Sequence, residues 1–179
     1  MLETLRRNIG VTTVRFFVRM KAAKSVHFSN AFTNARTALV ILPEHQNYYP
    51  IALPFVRLLR EKFYGNRMTL VVPDANEELA QTFAQTTIVP AGKEQTNMFF
   101  LPKQTVLQRL LSQRFDLLVD LNFTVVPIAA YLCRAVDAYI KVGFVKQHAD
   151  AFYNFQIQSP PNRNPKSRYE QLFRTLSMF

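Results

Sequence analysis

The stretch TALVILPEHQNYYPIALPFVRLLREKFYGNRMTLVV, residues 37–72, contains the pattern that decides the fold. It begins with a short aliphatic run that suits a strand buried on both faces. Apolar residues then recur at helical spacing, at Ile51, Phe55, Leu58, Leu59 and Phe63. Pro54 is tolerated only in the first turn of this helix, and Gly65 supplies its C-terminal stop. Because the aliphatic run MTLVV follows at 68–72, the stretch predicts one strand, helix and strand unit.

The same alternation continues to about residue 157. The segments NEELAQTFA, KQTVLQRLLSQR and VVPIAAYLCRAV predict helices, while TTIVPA, FDLLVDL at 115–121, AYIKVGF and YNFQI at 153–157 predict strands, the last one at an edge. Parallel neighbouring strands need crossover connections, so this order predicts an α/β, Rossmann-like fold: a mostly parallel sheet with helices on both faces. Within FDLLVDL, Leu118 is expected to be fully buried.

The length of 179 residues predicts a single domain with a real core, and 49% hydrophobic against 19% charged residues is a globular composition. We expect a basic amphipathic extension at 1–36 and a single Rossmann-like domain at 37–179 that ends in a helix. Asn164 and Pro165 form a good helix start. The apolar stripe that should pack on the sheet is Tyr169, Leu172, Phe173 and Leu176, with the arginines facing outward.

Several classes of protein and of site are not expected. No apolar run approaches the roughly 20 residues that span a bilayer, so the chain should be soluble or lie on a membrane surface. The start lacks a cleavable leader pattern and Cys133 is the only cysteine, which favours a cytoplasmic setting with Cys133 as a core thiol. The three histidines and Cys133 lack metal-ligand spacing, and no dinucleotide or phosphate-loop motif occurs. We therefore expect no metal, dinucleotide or other cofactor.

The net charge of +10 is concentrated at the two ends of the chain. Residues 1–36 carry seven basic side chains and one acidic one, and residues 160–179 carry four and one, whereas the middle is nearly neutral. The residues of the extension that we predict to bind a partner are Arg6, Arg7, Arg15, Arg19, Lys21 and Lys24. Such a charge favours an acidic macromolecule.

The first 24 residues can form a cationic amphipathic helix. Its predicted apolar stripe is Leu2, Leu5, Ile9, Phe16, Met20 and Ala23. One interpretation is that the helix docks on its own domain through this stripe. The other is that it meets an acidic partner, with RNA or a ribonucleoprotein favoured over an anionic membrane or an acidic protein.

Polar residues follow two of the predicted strands, where open parallel sheets place ligand groups. The candidate strand-end pocket consists of Glu44, His45, Asn47, Tyr48, Asp120 and Asn122. Simpler roles stay open: Asp120 would cap the next helix or hold its loop, and Glu44 and His45 would form a solvated turn. Tyr48 and Tyr49 would make a sugar or base platform, or pack against the helix start.

Four stretches carry a resemblance to a known family: ALVILP, ALPFVRLLREKF leading into MTLVVPD, RFDLLVDLN, and AYIKVGF. Together they resemble the amino-terminal Rossmann-like half of glycosyltransferase family 9, the heptosyltransferases of lipopolysaccharide synthesis. The tail RNPKSRYEQLFRTLSMF is similar to the segment in which that family leaves its first domain. The resemblance implies that the family's second domain, which holds the nucleotide-sugar, would begin where this chain ends.

The resemblance also implies a Gly-Asp pair shortly after the first strand, whose aspartate is taken as the catalytic base. Alignment on ALPFVRLL puts Asn47 and Tyr48 there, and neither an amide nor a phenol is a suitable base near neutral pH. We therefore expect a non-catalytic binding or assembly module, with no catalytic residue. The alternatives are a half-glycosyltransferase that needs a donor-domain partner chain, with Glu44 or His45 substituting as base, and a peripheral membrane-surface protein.

Overall fold

The computed structural model describes residues 1–17, 30–73, 77–159 and 164–179. The helices are α1 (Leu2–Phe17), α2 (Ala31–Asn34), α3 (Tyr49–Lys62), α4 (Glu77–Thr82), α5 (Gln104–Leu111), α6 (Pro127–Ala135) and α7 (Pro165–Leu176). The strands are β1 (Ala38–Ile41), β2 (Met68–Val72), β3 (Thr87–Pro90), β4 (Arg114–Asp120), β5 (Asp137–Phe144) and β6 (Phe155–Ile157). Among the described residues, no helix is both long enough and apolar enough to cross a bilayer.

The six strands form one parallel sheet in the order β3-β2-β1-β4-β5-β6, which confirms the predicted α/β, Rossmann-like fold. The central strand β1 pairs with β2 on one side, where Ala38 faces Met68, and with β4 on the other, where Ala38 faces Leu117. Strand order therefore reverses between β1 and β4, so the loops that leave these two strands diverge to opposite faces.

Two apolar layers cover the sheet. Side chains from α2, α3, α4 and α7 pack on one face, and side chains from α1, α5 and α6 pack on the other. Alternate residues of each strand supply the two layers, as Val40 and Ile41 of β1 do. Leu118 of β4 has no exposed surface, which confirms its predicted burial. The division into an extension and a domain stays a prediction, although Val14 and Phe32 of the extension belong to these layers.

The helix after β1 differs from the expectation in one respect. It begins at Tyr49, after a short 3-10 turn at Gln46–Tyr48, and Pro54 lies inside it rather than in its first turn. The proline is tolerated because the carbonyl left without an amide partner is that of Pro50, which lies at an exposed position. The predicted stop is confirmed, since Gly65 adopts a left-handed φ of 67° just after the helix.

The carboxy-terminal helix α7 packs as predicted. Asn164 caps it by accepting a hydrogen bond from the amide of Lys166 at 3.0 Å, and Tyr169 is buried on the sheet. The expectation that all its arginines face outward is wrong for Arg168, whose guanidinium lies 4.0 Å from the centre of the Phe123 ring. Burial lowers the pKa of Arg168. The flat guanidinium stacks on the aromatic face, and this contact compensates for part of the hydration that the guanidinium loses on burial.

The amino-terminal helix α1 docks on its own domain, mainly against α6, but through a face that was not predicted. Gly10 and Val14 are buried in the contact, whereas Leu2, Leu5, Ile9 and Phe16 of the predicted apolar stripe are exposed. At 100° per residue, the centres of these two sets of residues lie about 130° apart around the helix. The other two residues of the predicted stripe, Met20 and Ala23, lie outside the described residues. Docking through the smaller face lets α1 approach α6 closely, as the next subsection describes.

We expect Leu118→Ala to lower the free energy of unfolding by about 2–5 kcal/mol, because the substitution removes buried methyl groups and leaves a cavity. Denaturant unfolding followed by circular dichroism measures this loss. The matched control is Leu58→Ala on the exposed side of α3, where the leucine is 42% exposed and the loss should be small. Equal losses in the two variants would contradict the central position of β4.

Candidate functional site

A cleft of about 970 Å³ opens at the carboxyl ends of β1 to β4. Its walls come from the loops after these strands, from the start of α6 and from α1; they include Arg7, Glu44, His45, Asn47, Pro73, Gly92, Glu94, Phe100, Asn122 and Ile128. The cleft lies beside the point where strand order reverses, between β1 and β4. Open α/β sheets bind their ligands at this point, because the diverging loops leave a crevice there.

The loop after β1 is anchored to the loop after β4. The side-chain oxygen of Asn122 accepts a hydrogen bond from the amide of Glu44 at 2.8 Å, and its side-chain nitrogen donates to the carbonyl of Leu42 at 3.3 Å. One buried amide therefore holds the two loops together at the floor of the cleft. The side chain of Glu44 is left pointing to the cleft mouth, where it meets α1.

Arg7 of α1 enters the cleft and pairs with Glu44. Its guanidinium donates to the Glu44 carboxylate at 2.8 Å and to Glu3 at 3.2 Å, and it lies 4.6 Å from the centre of the Phe100 ring. The hydrogen bond to Glu44 raises the pKa of Arg7. The arginine thus remains charged, and the carboxylate that lies nearest the start of α3 is occupied by a cation of the same chain.

The close approach of α1 depends on Gly10. A Cβ atom at this position would collide with the carbonyl oxygen of Phe99, and it would also press on the side chain of Pro127 at the start of α6. Only glycine permits this contact. Because Gly10 and Arg7 lie on the same face of α1, the contact at Gly10 sets the depth to which Arg7 reaches into the cleft.

Below the cleft floor, Asp120 forms a buried clamp at the end of β4. One carboxylate oxygen accepts hydrogen bonds from the amide of Asn122 at 3.0 Å and from its side-chain nitrogen at 2.7 Å. The other accepts from the ammonium of Lys146 at 2.9 Å and from the hydroxyl of Tyr153 at 2.5 Å. The aspartate is completely buried and Lys146 has a side chain only 4% exposed. Asp120 therefore holds its own loop and ties it to the loop after β5.

The hydroxyl of Tyr153 and the thiol of Cys133, both close to Asp120, are buried and keep their protons. Burial raises the pKa of Tyr153 well above its usual value, and the charge of Asp120 adds to the shift. The pKa of Cys133 in α6 is likewise raised well above its usual value by burial, then by Asp120. Tyr153 reaches Asp120 by lying across Gly143 of β5, where any Cβ atom would come within 2.6 Å of the tyrosine ring.

The structure separates the predicted strand-end residues into two groups. Glu44, His45, Asn47 and Asn122 line the cleft together. Tyr48 instead packs edge-to-face on Phe123, with ring centres 5.3 Å apart, and Asp120 lies in the clamp beneath. Sequence reasoning missed Lys146 and Tyr153. A signal was available, since both follow β5, and strands that are consecutive in the sequence more often than not lie side by side in a sheet.

The predicted basic residues also have different environments. Arg6 is exposed, Arg7 lies in the cleft, and Arg15 has a guanidinium nitrogen 3.0 Å from the ring of His148. The other three predicted residues, Arg19, Lys21 and Lys24, lie outside the described residues. Of the six, Arg6 is thus the one whose side chain is described as facing solvent.

Three of the described carboxylates lie in or near the cleft, and they differ in whether another group of the protein already binds them. Glu44 is paired with Arg7 and Asp120 is buried in the clamp, while Glu94 lies on the exposed rim opposite. In the part of the chain that the structure describes, no group of three or more His, Cys, Asp or Glu side chains is arranged to hold a metal ion. Of these three carboxylates, two are thus engaged within the protein.

We expect Asp120→Ala to cost about 3–5 kcal/mol of stability, because it leaves the ammonium of Lys146 buried without its counter-ion. The double variant Asp120→Asn with Lys146→Met removes both charges and should lose clearly less. Arg114→Ala is the matched control, since its ion pair with Asp137 is exposed and should be worth under about 1 kcal/mol. A double variant as unstable as Asp120→Ala would show that the pair is not coupled.

We expect the free energy of unfolding to fall with rising pH above about 10, where tyrosine in an unfolded chain loses its proton. The folded-state pKa of Tyr153 is raised. Its contribution to the free energy of unfolding is therefore fully present below about pH 10 and is lost as the pH rises further. The slope of one such group is about 1.4 kcal/mol per pH unit. Tyr153→Phe should reduce the slope by about this amount in denaturant titrations. The exposed control Tyr64→Phe should leave it unchanged, and equal slopes in both variants would contradict the prediction.

Solved glycosyltransferases share this fold. The Escherichia coli heptosyltransferase WaaC with ADP superposes with a TM-score of 0.55 at 14% identity, over 78% of this chain and 46% of WaaC. The family 9 glycosyl transferase from Veillonella parvula DSM 2008 superposes with a TM-score of 0.60 at 13% identity, over 88% of this chain and 44% of the other. The predicted resemblance is therefore confirmed for the fold, and the chain spans less than half the length of these enzymes.

Sequence comparison leads to a family rather than to an activity. None of the curated proteins matches this chain. A family model described as a family of unknown function, DUF6913, matches residues 16–179, which include the whole sheet and every helix except most of α1. By this match, the chain belongs to the DUF6913 family, and its fold is that of one half of a family 9 glycosyltransferase.

Proposed function

We propose that this protein is a non-catalytic, heptosyltransferase-like Rossmann domain that acts as a binding or assembly module. The observation that carries the proposal is the ion pair between Arg7 and Glu44 in the cleft at the strand ends. This is the region in which the resemblance places a catalytic aspartate, and the one acidic side chain of the loop after β1 is held there by a guanidinium.

The ion pair makes Glu44 a poor general base. A carboxylate that accepts a hydrogen bond from a guanidinium at 2.8 Å must give up that bond, or share its charge, before it can take a proton from an acceptor hydroxyl. Asn47 and Tyr48, the residues aligned with the family's base, carry an amide and a phenol. Asp120 is committed to four hydrogen bonds inside the protein. Proton abstraction by Glu44, by Asp120 or by the residues aligned with the family's base is therefore unfavourable.

The partner we propose for this module is polyanionic: RNA or a ribonucleoprotein, an anionic membrane surface, or an acidic protein. The support is the distribution of charge, with a net +6 in the first 36 residues and +3 in the last 20. Arg6 and Arg174 are exposed near the two ends of the chain. The proposed setting is the cytoplasm, where the buried thiol of Cys133 would stay reduced.

The rival function is a half-glycosyltransferase that works with a donor domain on another chain. The cleft favours it, because its volume of about 970 Å³ would accommodate a sugar acceptor. His45 and Glu94 line this cleft and would then supply its chemistry. The two functions differ in one measurable property, which is the affinity for a nucleotide-sugar in the presence of a donor domain on another chain.

We expect the purified protein to show no heat of binding with ADP- or UDP-sugars at millimolar concentration, and no release of ADP or UDP when a sugar acceptor is added. Arg7→Gln is the sharpest variant, because it frees Glu44 while leaving the sheet intact. The variant should remain inactive if the cleft lacks catalytic chemistry. Nucleotide release by either protein, alone or after addition of a copurifying donor domain, would establish the half-transferase instead.

A further inference from the structure

The outer face of α1 is an exposed apolar surface that lies about 130° around the helix from its docking face. We call it the α1 outer face; it consists of Leu2, Leu5, Ile9 and Phe16, and these side chains are between 41% and 70% exposed. Single exposed apolar residues are ordinary, but these four form a stripe along one side of a helix of about 24 Å, which Thr12 and Thr13 interrupt between Ile9 and Phe16. Such stripes mark surfaces that bind a partner.

The helix is held in place while this stripe points away from the domain. Val14 is completely buried, Gly10 lies against the backbone of Phe99, and Arg7 is paired with Glu44. Turning the helix to bury the stripe would break all three contacts and would leave Arg7 and Glu44 without each other. The domain therefore presents the α1 outer face to the outside as a fixed part of its surface.

Charge lies beside the apolar stripe. Arg6 is exposed next to Leu2 and Ile9 on the helix. The guanidinium of Arg15 lies 5.3 Å from the centre of the Phe16 ring. In the sequence, three more basic residues follow α1: Arg19, Lys21 and Lys24. Apolar side chains on one face with cations around them are the composition of a helix that lies in the plane of a membrane interface.

We infer that the α1 outer face docks on an anionic lipid bilayer, with the helix parallel to the surface and its leucine and phenylalanine side chains inserted between the lipids. The inference rests on the proposed function, because the bilayer is then the polyanionic partner. RNA fits the face less well, since phosphate contacts need cations and leave an apolar stripe in water. A second copy also fits less well, because it would bring two segments of net charge +6 together.

The orientation has a consequence for the cleft. Arg7 lies on the inner side of α1 and the inserted residues on the outer side, so a bilayer in contact with α1 would cover the outside of the helix that carries the Arg7–Glu44 pair. The cleft mouth next to α1 would then lie close to the lipid headgroups. Arg7 and His45 are among the side chains that line this cleft.

The absence of tryptophan from the chain makes the test direct. Phe16→Trp places a single fluorescent reporter on the α1 outer face, where the native ring is 70% exposed. With vesicles of phosphatidylcholine and phosphatidylglycerol in equal parts, we expect its emission to shift to the blue. With phosphatidylcholine alone the shift should be small, and Tyr64→Trp on the far side of the domain should not shift with either.

Binding is measured by vesicle sedimentation with a matched pair of variants. Leu5→Ser with Phe16→Ser removes apolar groups that are 57% and 70% exposed, so the fold should be retained and the affinity for anionic vesicles should fall by at least about tenfold. Leu58→Ser with Met178→Ser alters two exposed apolar residues elsewhere and should leave binding unchanged. Arg6→Gln should weaken binding and reduce its dependence on salt.

Three results would overturn the inference. The first is no binding to anionic vesicles at low salt, and the second is an equal loss in both pairs of variants. The third is that structured RNA binds through Arg6, or that the chain dimerises through Leu5 and Phe16, while vesicles do not compete. Nucleotide release in the sugar assay would reject the non-catalytic function but would leave vesicle binding by α1 intact, so the two failures can be told apart.

Discussion

The structure depends most on the buried contacts at the carboxyl ends of β4 and β5, where Asp120 receives hydrogen bonds from Asn122, Lys146 and Tyr153. A carboxylate without exposed surface is tolerated only when its charge is paired and its oxygens are hydrogen-bonded. The four bonds meet this condition and, in doing so, hold the loops after two neighbouring strands. Through Asn122 the constraint extends to the loop after β1, so the cleft floor is rigid before any ligand arrives.

The amino-terminal helix completes the site from outside the sheet. Its packing against α6 requires Gly10, and that packing delivers Arg7 to Glu44. One helix therefore has two different faces. The face with Gly10 and Val14 packs on the domain and brings Arg7 into the cleft, whereas the α1 outer face remains exposed. This division connects the electrostatic state of the cleft with the surface that we infer to dock on lipid.

The crevice and the chemistry of a Rossmann-like half-fold have separate origins. The crevice arises from strand order, because the loops after β1 and β4 diverge whatever residues they contain. Catalysis arises from particular side chains, and here the loop after β1 presents Glu44 bound to Arg7, then His45 and Asn47. The same reasoning explains why the shared fold with WaaC and the Veillonella enzyme identifies an architecture rather than an activity.

The sequence by itself determined the sheet and its connections. The aliphatic runs at 38–41, 68–72 and 115–120, each followed by a helical period, allow few arrangements other than parallel strands with crossover helices. It also placed Glu44, His45, Asn47 and Asn122 at one sheet edge, because residues that follow parallel strands share that edge. What only the tertiary structure decided is which contacts these side chains make. The apolar content of α1 favoured docking through Leu5 and Phe16, yet the helix docks through Gly10 and Val14. Helical periodicity reports which residues share a face, but the depth and shape of the receiving surface, here the backbone of Phe99 and the start of α6, select the face that fits.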